Sequence, residues 1–141
     1  MRRYLIDTGM LTAYLLGRRA AVLVLEDRIR ARETTTSMLV YGEIIEYLRS
    51  RSTGDREGIE LRDLLRVVWP LPLSYRVMEQ YADLRRELRP PSGFGLIDDV
   101  DSLIAATALV HNQIIITTDS DFLRIPDLQV EFVERETLRR T

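Results

Sequence analysis

Short strand-like runs alternate with longer helical patterns along the chain, and this alternation restricts the fold more than any other feature. Residues 4–6, 114–116 and 130–133 are compact apolar runs, and 34–36 is a β-branched one. The segments between them carry apolar residues every three to four positions, as amphipathic helices do. Such alternation predicts an α/β fold: a parallel sheet with helices on both faces.

Punctuating residues give approximate boundaries. Pro70 and Pro72 restrict the run 67–73 to an edge strand, because proline cannot donate a ladder hydrogen bond. Ser37, Ser74 and Asp98 stand where helix N-caps are expected. The loop predicted at 52–55 precedes a helix near 59–65. The other predicted helices cover residues 10–16, 20–32, 38–50, 75–88, 99–110 and 135–140.

Length and composition indicate one globular domain over residues 1–141. The chain has a mass of 16.4 kDa, with 45% hydrophobic and 30% charged residues, which is typical of a folded protein. The longest strictly apolar run, 20–25, is far shorter than the roughly 20 residues that span a bilayer. No signal peptide is visible, so we expect a cytoplasmic protein without a membrane segment.

Missing residue types exclude several chemistries. The chain has no cysteine, and all 20 of its basic residues are arginine. Disulfides, thiolate metal sites, Schiff bases and lysine-dependent phosphate loops are therefore excluded, as is the lysine of phosphoaspartate receivers. A Ser-His-Asp triad would have to use His111, the only histidine.

Acidic residues follow two of the predicted strands. Asp7 comes directly after residues 4–6, and Asp119 follows the run 114–118. In open parallel sheets the active site lies outside the carboxyl ends of the strands, so these carboxylates should open into one crevice. Turn formation would also explain each of them, and Asp121 competes with Asp119 for the same role.

Two helical acids are further candidates. Asp101 lies in the first turn of its helix, where capping alone explains acidic residues, but Ala105 and Ala108 below it would let the helix approach the sheet and aim Asp101 inward. Glu43 has no cation three or four positions later, although an exposed glutamate explains it equally well. Gly42, unfavourable inside a helix, predicts a close backbone approach.

Four carboxylates in one crevice would repel each other unless a cation lay among them. Oxygen ligands without histidine or cysteine suit a hard divalent ion, Mg²⁺ or Mn²⁺. Such ions promote phosphoryl-oxygen chemistry by activating water and neutralising the leaving group. Convergence would therefore indicate a metal-dependent phosphoesterase or nuclease.

The segments that carry these acids resemble PIN-domain ribonucleases of the VapC toxin type over nearly the whole chain. The resemblance lies in four motifs that occur in the family's order. These are Tyr4-Leu5-Ile6-Asp7-Thr8, Thr36-Ser37-Met38-Leu39-Val40-Tyr41-Gly42-Glu43, Asp101-Ser102-Leu103-Ile104-Ala105-Ala106 and Ile116-Thr117-Thr118-Asp119-Ser120-Asp121-Phe122. One departure is Gly9, where the family commonly has asparagine.

The resemblance implies a five-stranded parallel sheet, a homodimer, and an endoribonuclease that uses Mg²⁺ or Mn²⁺ to direct water at an RNA phosphodiester, leaving 5′-phosphate and 3′-hydroxyl ends. It makes Asp7, Glu43, Asp101 and Asp119 the catalytic and metal-binding quartet. Supporting positions are Thr8, Thr117 and Asp121, the last read mainly as turn structure.

The resemblance also implies a VapB-like antitoxin that wraps the toxin and blocks the crevice. Apolar residues of the first two predicted helices either form its groove or belong to the core: Leu11, Tyr14, Leu15, Leu16, Val22 and Leu25. With the four acids set aside the surface is mildly basic, which suits arginine contacts to RNA phosphates. The candidates at this rim are Arg18, Arg19, Arg85, Arg86 and Arg89.

Two other functions compete with this one. Asp7-Thr8-Gly9 also matches the signature of aspartic proteases, although that fold is almost entirely β. A non-catalytic PIN-like module that only binds RNA or a partner would retain the fold without the chemistry.

Overall fold

Five strands and seven helices are present in residues 1–139, which are the residues that the computed structural model describes. The strands are β1 (Tyr4–Ile6), β2 (Thr34–Ser37), β3 (Trp69–Leu71), β4 (Ile114–Thr117) and β5 (Val130–Phe132). The helices are α1 (Thr8–Leu15), α2 (Arg19–Arg30), α3 (Met38–Leu48), α4 (Gly54–Leu64), α5 (Tyr75–Leu88), α6 (Asp99–Val110) and α7 (Arg135–Arg139). A 3-10 helix occupies Ser120–Arg124.

The strands form one parallel sheet in the order β3-β2-β1-β4-β5, as the alternating pattern and the family resemblance predicted. β1 is central and pairs with β2 on one side and β4 on the other. Its Leu5 and Ile6 are completely buried, as are Ile115 and Ile116 of β4. Burial on both faces explains why these runs are continuously apolar rather than alternating.

The strand order determines where the helices lie. From β1 to β2 and from β2 to β3 the chain moves in one direction across the sheet, and from β3 to β4 it returns. Parallel crossovers are right-handed, so α1 to α4 cover one face and α5 with α6 cover the other. Helices therefore flank both faces, and the carboxyl ends of the strands stay open at one edge.

The predicted caps of α3, α5 and α6 are present. The hydroxyls of Ser37 and Ser74 accept hydrogen bonds from the backbone N–H groups of Leu39 and Val77, at 3.1 and 3.2 Å. The carboxylate of Asp98 accepts one from Val100 N–H at 3.1 Å. Each cap satisfies one of the free donors at a helix start.

Two helix starts differ from the predicted positions. α1 begins at Thr8 rather than near residue 10, because the carbonyl of Asp7 already accepts a helical hydrogen bond from Leu11 N–H at 2.9 Å. α4 begins at Gly54, inside the predicted loop. Gly54 packs so tightly on the preceding helix that an added Cβ would lie 2.0 Å from Leu48 O. Only a residue without a side chain permits this early start.

The last helix, and the length and apolar character of the helices, complete the description. The predicted helix 135–140 is present through Arg139, and Arg140 lies outside the described residues. Among residues 1–139 no single helix has the length and apolar character needed to cross a membrane. Only α1 and α2 taken together have that length and apolar character, and the two helices are bent by 99° at the junction between them.

Two glycines on neighbouring helices give opposite stability predictions. Gly42 was expected to mark a close backbone approach, but that expectation is wrong, since an added Cβ would meet no atom within 4 Å. Gly42→Ala should therefore raise the free energy of unfolding by up to about 1 kcal/mol through helix propensity. Gly54→Ala should lower it by about 1–3 kcal/mol through its clash with Leu48. Urea unfolding followed by circular dichroism measures both, and equal shifts would contradict the prediction.

Candidate functional site

Two strand ends bring the first acidic side chains together. Asp7 follows β1 and is only 6% exposed, and its neighbour strand β4 ends at Thr117. The Thr117 hydroxyl donates a 2.7 Å hydrogen bond to Asp7 Oδ2 and accepts one of 3.0 Å from the backbone N–H of Asp119. Thr117 therefore fixes Asp7 and the start of the following turn with a single hydroxyl.

The three acids at the start of α6 have different partners. Asp98 caps the helix. Asp99 turns to α5, where it pairs with the Arg85 guanidinium and accepts a 3.3 Å hydrogen bond from the Tyr81 hydroxyl. Asp101 is half-buried and faces the strand ends, above the fully buried Ala105. Capping therefore explains Asp98 alone. Asp101 points inward above the stripe of small residues, as the sequence predicted.

A compact group of oxygens forms where α6 meets the turn after β4. One carboxylate oxygen each of Asp101, Asp119 and Asp121 lies within 4.8 Å of the other two. Asp119 Oδ1 also accepts a 2.9 Å hydrogen bond from the backbone N–H of Asp121, which holds the turn closed. Asp121, expected mainly as turn structure, therefore belongs to the densest part of the site as well.

Glu43 approaches from the other side. It is exposed on α3 and accepts a 2.6 Å hydrogen bond from the Thr8 hydroxyl at the start of α1. Its charge reaches Asp7, whose pKa it helps to raise. Asp7, Glu43, Asp101, Asp119 and Asp121, here called the acidic cluster, thus share one edge of the sheet.

The electrostatics of the acidic cluster are unfavourable to full ionisation. Burial raises the pKa of Asp7, partly offset by the hydrogen bonds from Thr117 and the Thr8 backbone, while Glu43 and Asp119 raise it further. Burial is also the largest cause for Asp101, followed by the charges of Asp7, Asp119 and Asp98. Together with a hydrogen bond shared with Asp119, they raise the pKa of Asp101 to about 7.

The donor set fits a hard divalent cation. In an octahedral Mg²⁺ site the ligand distances are about 2.0–2.1 Å, so opposite oxygens are about 4.2 Å apart. The oxygens of Asp101, Asp119 and Asp121 lie within 4.8 Å of one another, so small side-chain adjustments would let one such ion contact all three. No nitrogen or sulfur ligand is among these three residues, and a bound cation would remove the repulsion that raises the pKa values.

One of the predicted rim arginines lies beside the acidic cluster. Arg18 lines a groove of about 440 Å³ between α1 and α7, which reaches the cluster at Thr8 and Glu43. Arg135 and Arg139 line it too. We call it the α1–α7 groove. Sequence reasoning missed these two arginines, because nothing local shows that the last helix packs beside the first one.

The other rim candidates are placed differently. Arg85 is held by Asp99, so its charge is already neutralised. Arg19, Arg86 and Arg89 are exposed, and none of them lines the α1–α7 groove.

The apolar residues expected either in a partner groove or in the core differ in how deeply they are buried. Leu11 and Leu25 are completely buried and belong to the core, so neither is available to a partner. Leu16 lines the α1–α7 groove. Tyr14, half-buried, donates a 2.6 Å hydrogen bond to Glu26.

Gly9, which stands where the family commonly has asparagine, also lines this groove. The limited space beside it accounts for the difference. An added Cβ at Gly9 would lie 2.9 Å from the Thr118 hydroxyl oxygen. A side chain here would therefore require Thr118 to move.

Comparison with known proteins agrees with this architecture. The family model of the PIN domain matches residues 4–128. The chain belongs to the PIN domain family. It is 36% identical over 129 residues to Ribonuclease VapC19 of Mycobacterium tuberculosis, covering 89% of this chain and 96% of that protein. This relative places it with the VapC type.

Solved structures of VapBC complexes share the fold. VapBC2 from Rickettsia felis, bound to a DNA fragment from its promoter, aligns with a TM-score of 0.80 at 22% identity over 93% of this chain and 98% of that one. DNA-bound VapBC from Salmonella typhimurium also gives 0.80, at 16% identity over 94% and 98%. A parallel sheet flanked by helices is incompatible with the nearly all-β fold of aspartic proteases, so the protease reading of Asp7-Thr8-Gly9 is wrong.

The raised pKa of Asp101 predicts how stability depends on pH without metal. Between its ordinary value of 3.8 and its value of about 7 in the fold, the folded state holds a proton that the unfolded state has released. Stability contributed by that proton is therefore lost as pH rises through this window. In EDTA, the melting temperature should be lower at pH 8 than at pH 5, and Asp101→Asn should reduce the difference.

The matched control is Asp99→Asn, in the same helical turn but paired with Arg85. It should leave the pH dependence of the melting temperature unchanged. An Asp101→Asn protein that melts below wild type at pH 8 would contradict the argument.

Proposed function

We propose that this protein is a metal-dependent endoribonuclease and the toxin of a toxin–antitoxin pair. The observation that carries the proposal is the acidic cluster at the carboxyl edge of the sheet, in a chain 36% identical to a protein named as a ribonuclease. Burial and neighbouring charges raise the pKa of Asp7 and of Asp101, and carboxylates perturbed in this way at an open sheet edge are typical of sites that exchange a cation or a proton.

Asp101, Asp119 and Asp121 are the residues best placed to hold the cation, with Asp7 and Glu43 completing the site. A bound Mg²⁺ or Mn²⁺ would lower the pKa of a coordinated water and neutralise charge on the phosphodiester. The positive charge of the cation would favour the ionised form of Asp7 despite its burial, and the hydrogen bond from Thr117 holds the carboxylate in place.

Thr117 and Thr8 serve as positioning residues in this proposal. Each hydroxyl donates to one acidic side chain, Thr117 to Asp7 and Thr8 to Glu43. Hydrogen bonds of this kind orient metal-binding carboxylates, and their loss in known metal sites lowers affinity or activity about 10–100-fold.

The RNA backbone would follow the α1–α7 groove away from the acidic cluster. Within residues 1–139 no ion pair engages the guanidinium groups of Arg18, Arg135 or Arg139, so their charges are free for phosphates. Contacts to phosphate position a nucleic acid without reading its sequence. The groove therefore supports binding of RNA but not the choice of a cleavage site.

A VapB-like antitoxin is the protein partner we propose, and a homodimer the assembly. The support is the likeness in fold to VapBC complexes that also contain DNA. In this scheme the antitoxin would cover the acidic cluster and prevent cleavage until it is removed.

Substitution of the acids tests the chemistry. Asp7→Asn and Asp101→Asn should each reduce Mn²⁺-stimulated cleavage of single-stranded RNA by more than about 100-fold, beyond what loss of a mere orienting group costs. The melting temperature in EDTA should not fall, because both changes relieve repulsion within the acidic cluster. A fluorescently end-labelled RNA resolved on a gel gives the rate.

Asp99→Asn is again the control and should cleave at the wild-type rate. EDTA should abolish cleavage and added Mn²⁺ restore it. Wild-type cleavage by either Asp7→Asn or Asp101→Asn would refute the site, and a wild-type protein that binds RNA without cleaving it would instead identify a non-catalytic PIN-like module.

Salt dependence tests the α1–α7 groove. Arg18→Gln should raise KM for RNA at unchanged kcat and reduce the slope of log KM against log salt by about 0.7, the value for one phosphate contact on a single strand. Arg19→Gln is the matched control, because the Arg19 side chain follows Arg18 directly and is exposed but does not line the groove. Equal slopes for the two variants would remove Arg18 from the RNA path.

A further inference from the structure

A second cavity lies beside the acidic cluster and has an aromatic wall. It measures about 380 Å³ and is lined by Glu87 and Leu88 at the end of α5, Ser92 and Phe94 of the following loop, and Arg124 with Pro126 beyond β4. We call it the Phe94 pocket. Its volume falls in the range of about 300–1,000 Å³ that is typical of small-ligand sites.

The backbone on both sides of Phe94 is anchored, although the ring itself is completely exposed. Gly93 N–H donates to Arg89 O at 3.1 Å, and Gly95 N–H donates to Leu88 O at 2.9 Å. Gly93 packs so closely on α5 that an added Cβ would lie 2.3 Å from Glu87 O. The loop therefore presents a free aromatic ring on a fixed support, at a position where the ring contributes nothing to the core.

Arg124 connects this loop to the acidic cluster. Its Nη2 donates a 2.6 Å hydrogen bond to Gly95 O, next to Phe94, and its Nη1 lies 3.7 Å from Asp121 Oδ1. Asp121 is one of the three acids whose oxygens converge. Arg124 therefore bridges the Phe94 loop and one acid of the candidate metal site.

The chemistry of these side chains matches an unpaired nucleobase. Bases of single-stranded RNA are recognised by stacking on aromatic rings and on arginine guanidinium planes. The Phe94 pocket offers one of each, and Leu88 and Pro126 supply apolar contacts for the rest of a base. Arg124 is shared between Gly95 O and Asp121, so it offers a ligand the planar face of its guanidinium for stacking rather than an unpaired charge.

We propose that the Phe94 pocket is a nucleobase subsite, which holds one base adjacent to the cleaved phosphodiester by stacking on Phe94 beside Arg124. The inference rests on the proposed ribonuclease function and extends it, because the pocket would take part in selecting the cleavage site. Phe94 acts here by positioning the substrate strand and takes no part in the chemical step.

Kinetics of variants give the first part of the test. One stacked base contributes about 1–3 kcal/mol, so Phe94→Ala should raise KM for single-stranded RNA about 5–150-fold with kcat nearly unchanged. Phe94→Trp should retain a wild-type KM, because the indole stacks at least as well. Leu123→Ala is the matched control, since Leu123 is 57% exposed on the neighbouring 3-10 helix but does not line the pocket.

Fluorescence gives the second part. The chain has one tryptophan, Trp69, so Phe94→Trp in a Trp69→Phe background carries a single reporter in the pocket. With Ca²⁺ in place of Mn²⁺, a single-stranded RNA oligonucleotide should quench the fluorescence of the indole. An abasic oligonucleotide of the same length should not. A gel run on the same sample checks that the RNA stays intact.

Failure of either part overturns the proposal. If wild type cleaves RNA but Phe94→Ala has an unchanged KM, or if the abasic strand quenches equally, the base subsite is wrong and the ribonuclease function stands. If wild type cleaves no RNA, the ribonuclease function fails, and the fluorescence comparison alone decides whether the pocket binds a base. Quenching by an antitoxin peptide and not by RNA would assign the pocket to a protein partner.

Discussion

Repulsion between carboxylates at the open edge of the sheet is the constraint on which the rest of this structure depends. Asp7 is almost buried beside Glu43 and Asp119, and Asp101 faces the same edge, so burial and the neighbouring charges raise the pKa of Asp7 and of Asp101. A folded chain tolerates this arrangement only when other groups hold the acids in place. The Thr117 hydroxyl donates a hydrogen bond to Asp7, and the backbone N–H of Asp121 donates one to Asp119. Together they hold the two acids in place.

The rest of the molecule supplies the stability that this cluster removes. β1 and β4 carry the acids at their ends, and Leu5, Ile6, Ile115 and Ile116 of these strands are completely buried. A site placed on the central strand and its neighbour is therefore held by buried core strands, which resist local opening. The same logic explains why the fold recurs in solved structures at 16–22% identity, since it depends on apolar strands rather than on particular surface residues.

Much of this was predictable from sequence, because it follows from local periodicity and one geometric rule. Apolar strand runs gave the parallel sheet, and the rule that sites lie at carboxyl strand ends selected Asp7 and Asp119. Asp101 was predictable from the small residues below it, of which Ala105 and Ala108 are fully buried. What escaped prediction depends on how distant segments pack. Asp121 was predicted only as a supporting residue, because its approach to Asp101 depends on the hydrogen-bonded turn, and Arg135 was missed because the last helix packs on α2 beside Arg18.

The margin of the sheet at β3 limits how this protein can assemble with others. Pro70 stands opposite Thr36 in the register and has no N–H to offer, while the Trp69 ring is covered by the Arg2 guanidinium at 3.8 Å from its centroid. A strand that tried to extend the sheet here would find a missing donor and a cation stacked across its path. Growth into continuous cross-chain sheets is blocked at this margin, so recognition there must proceed through side chains.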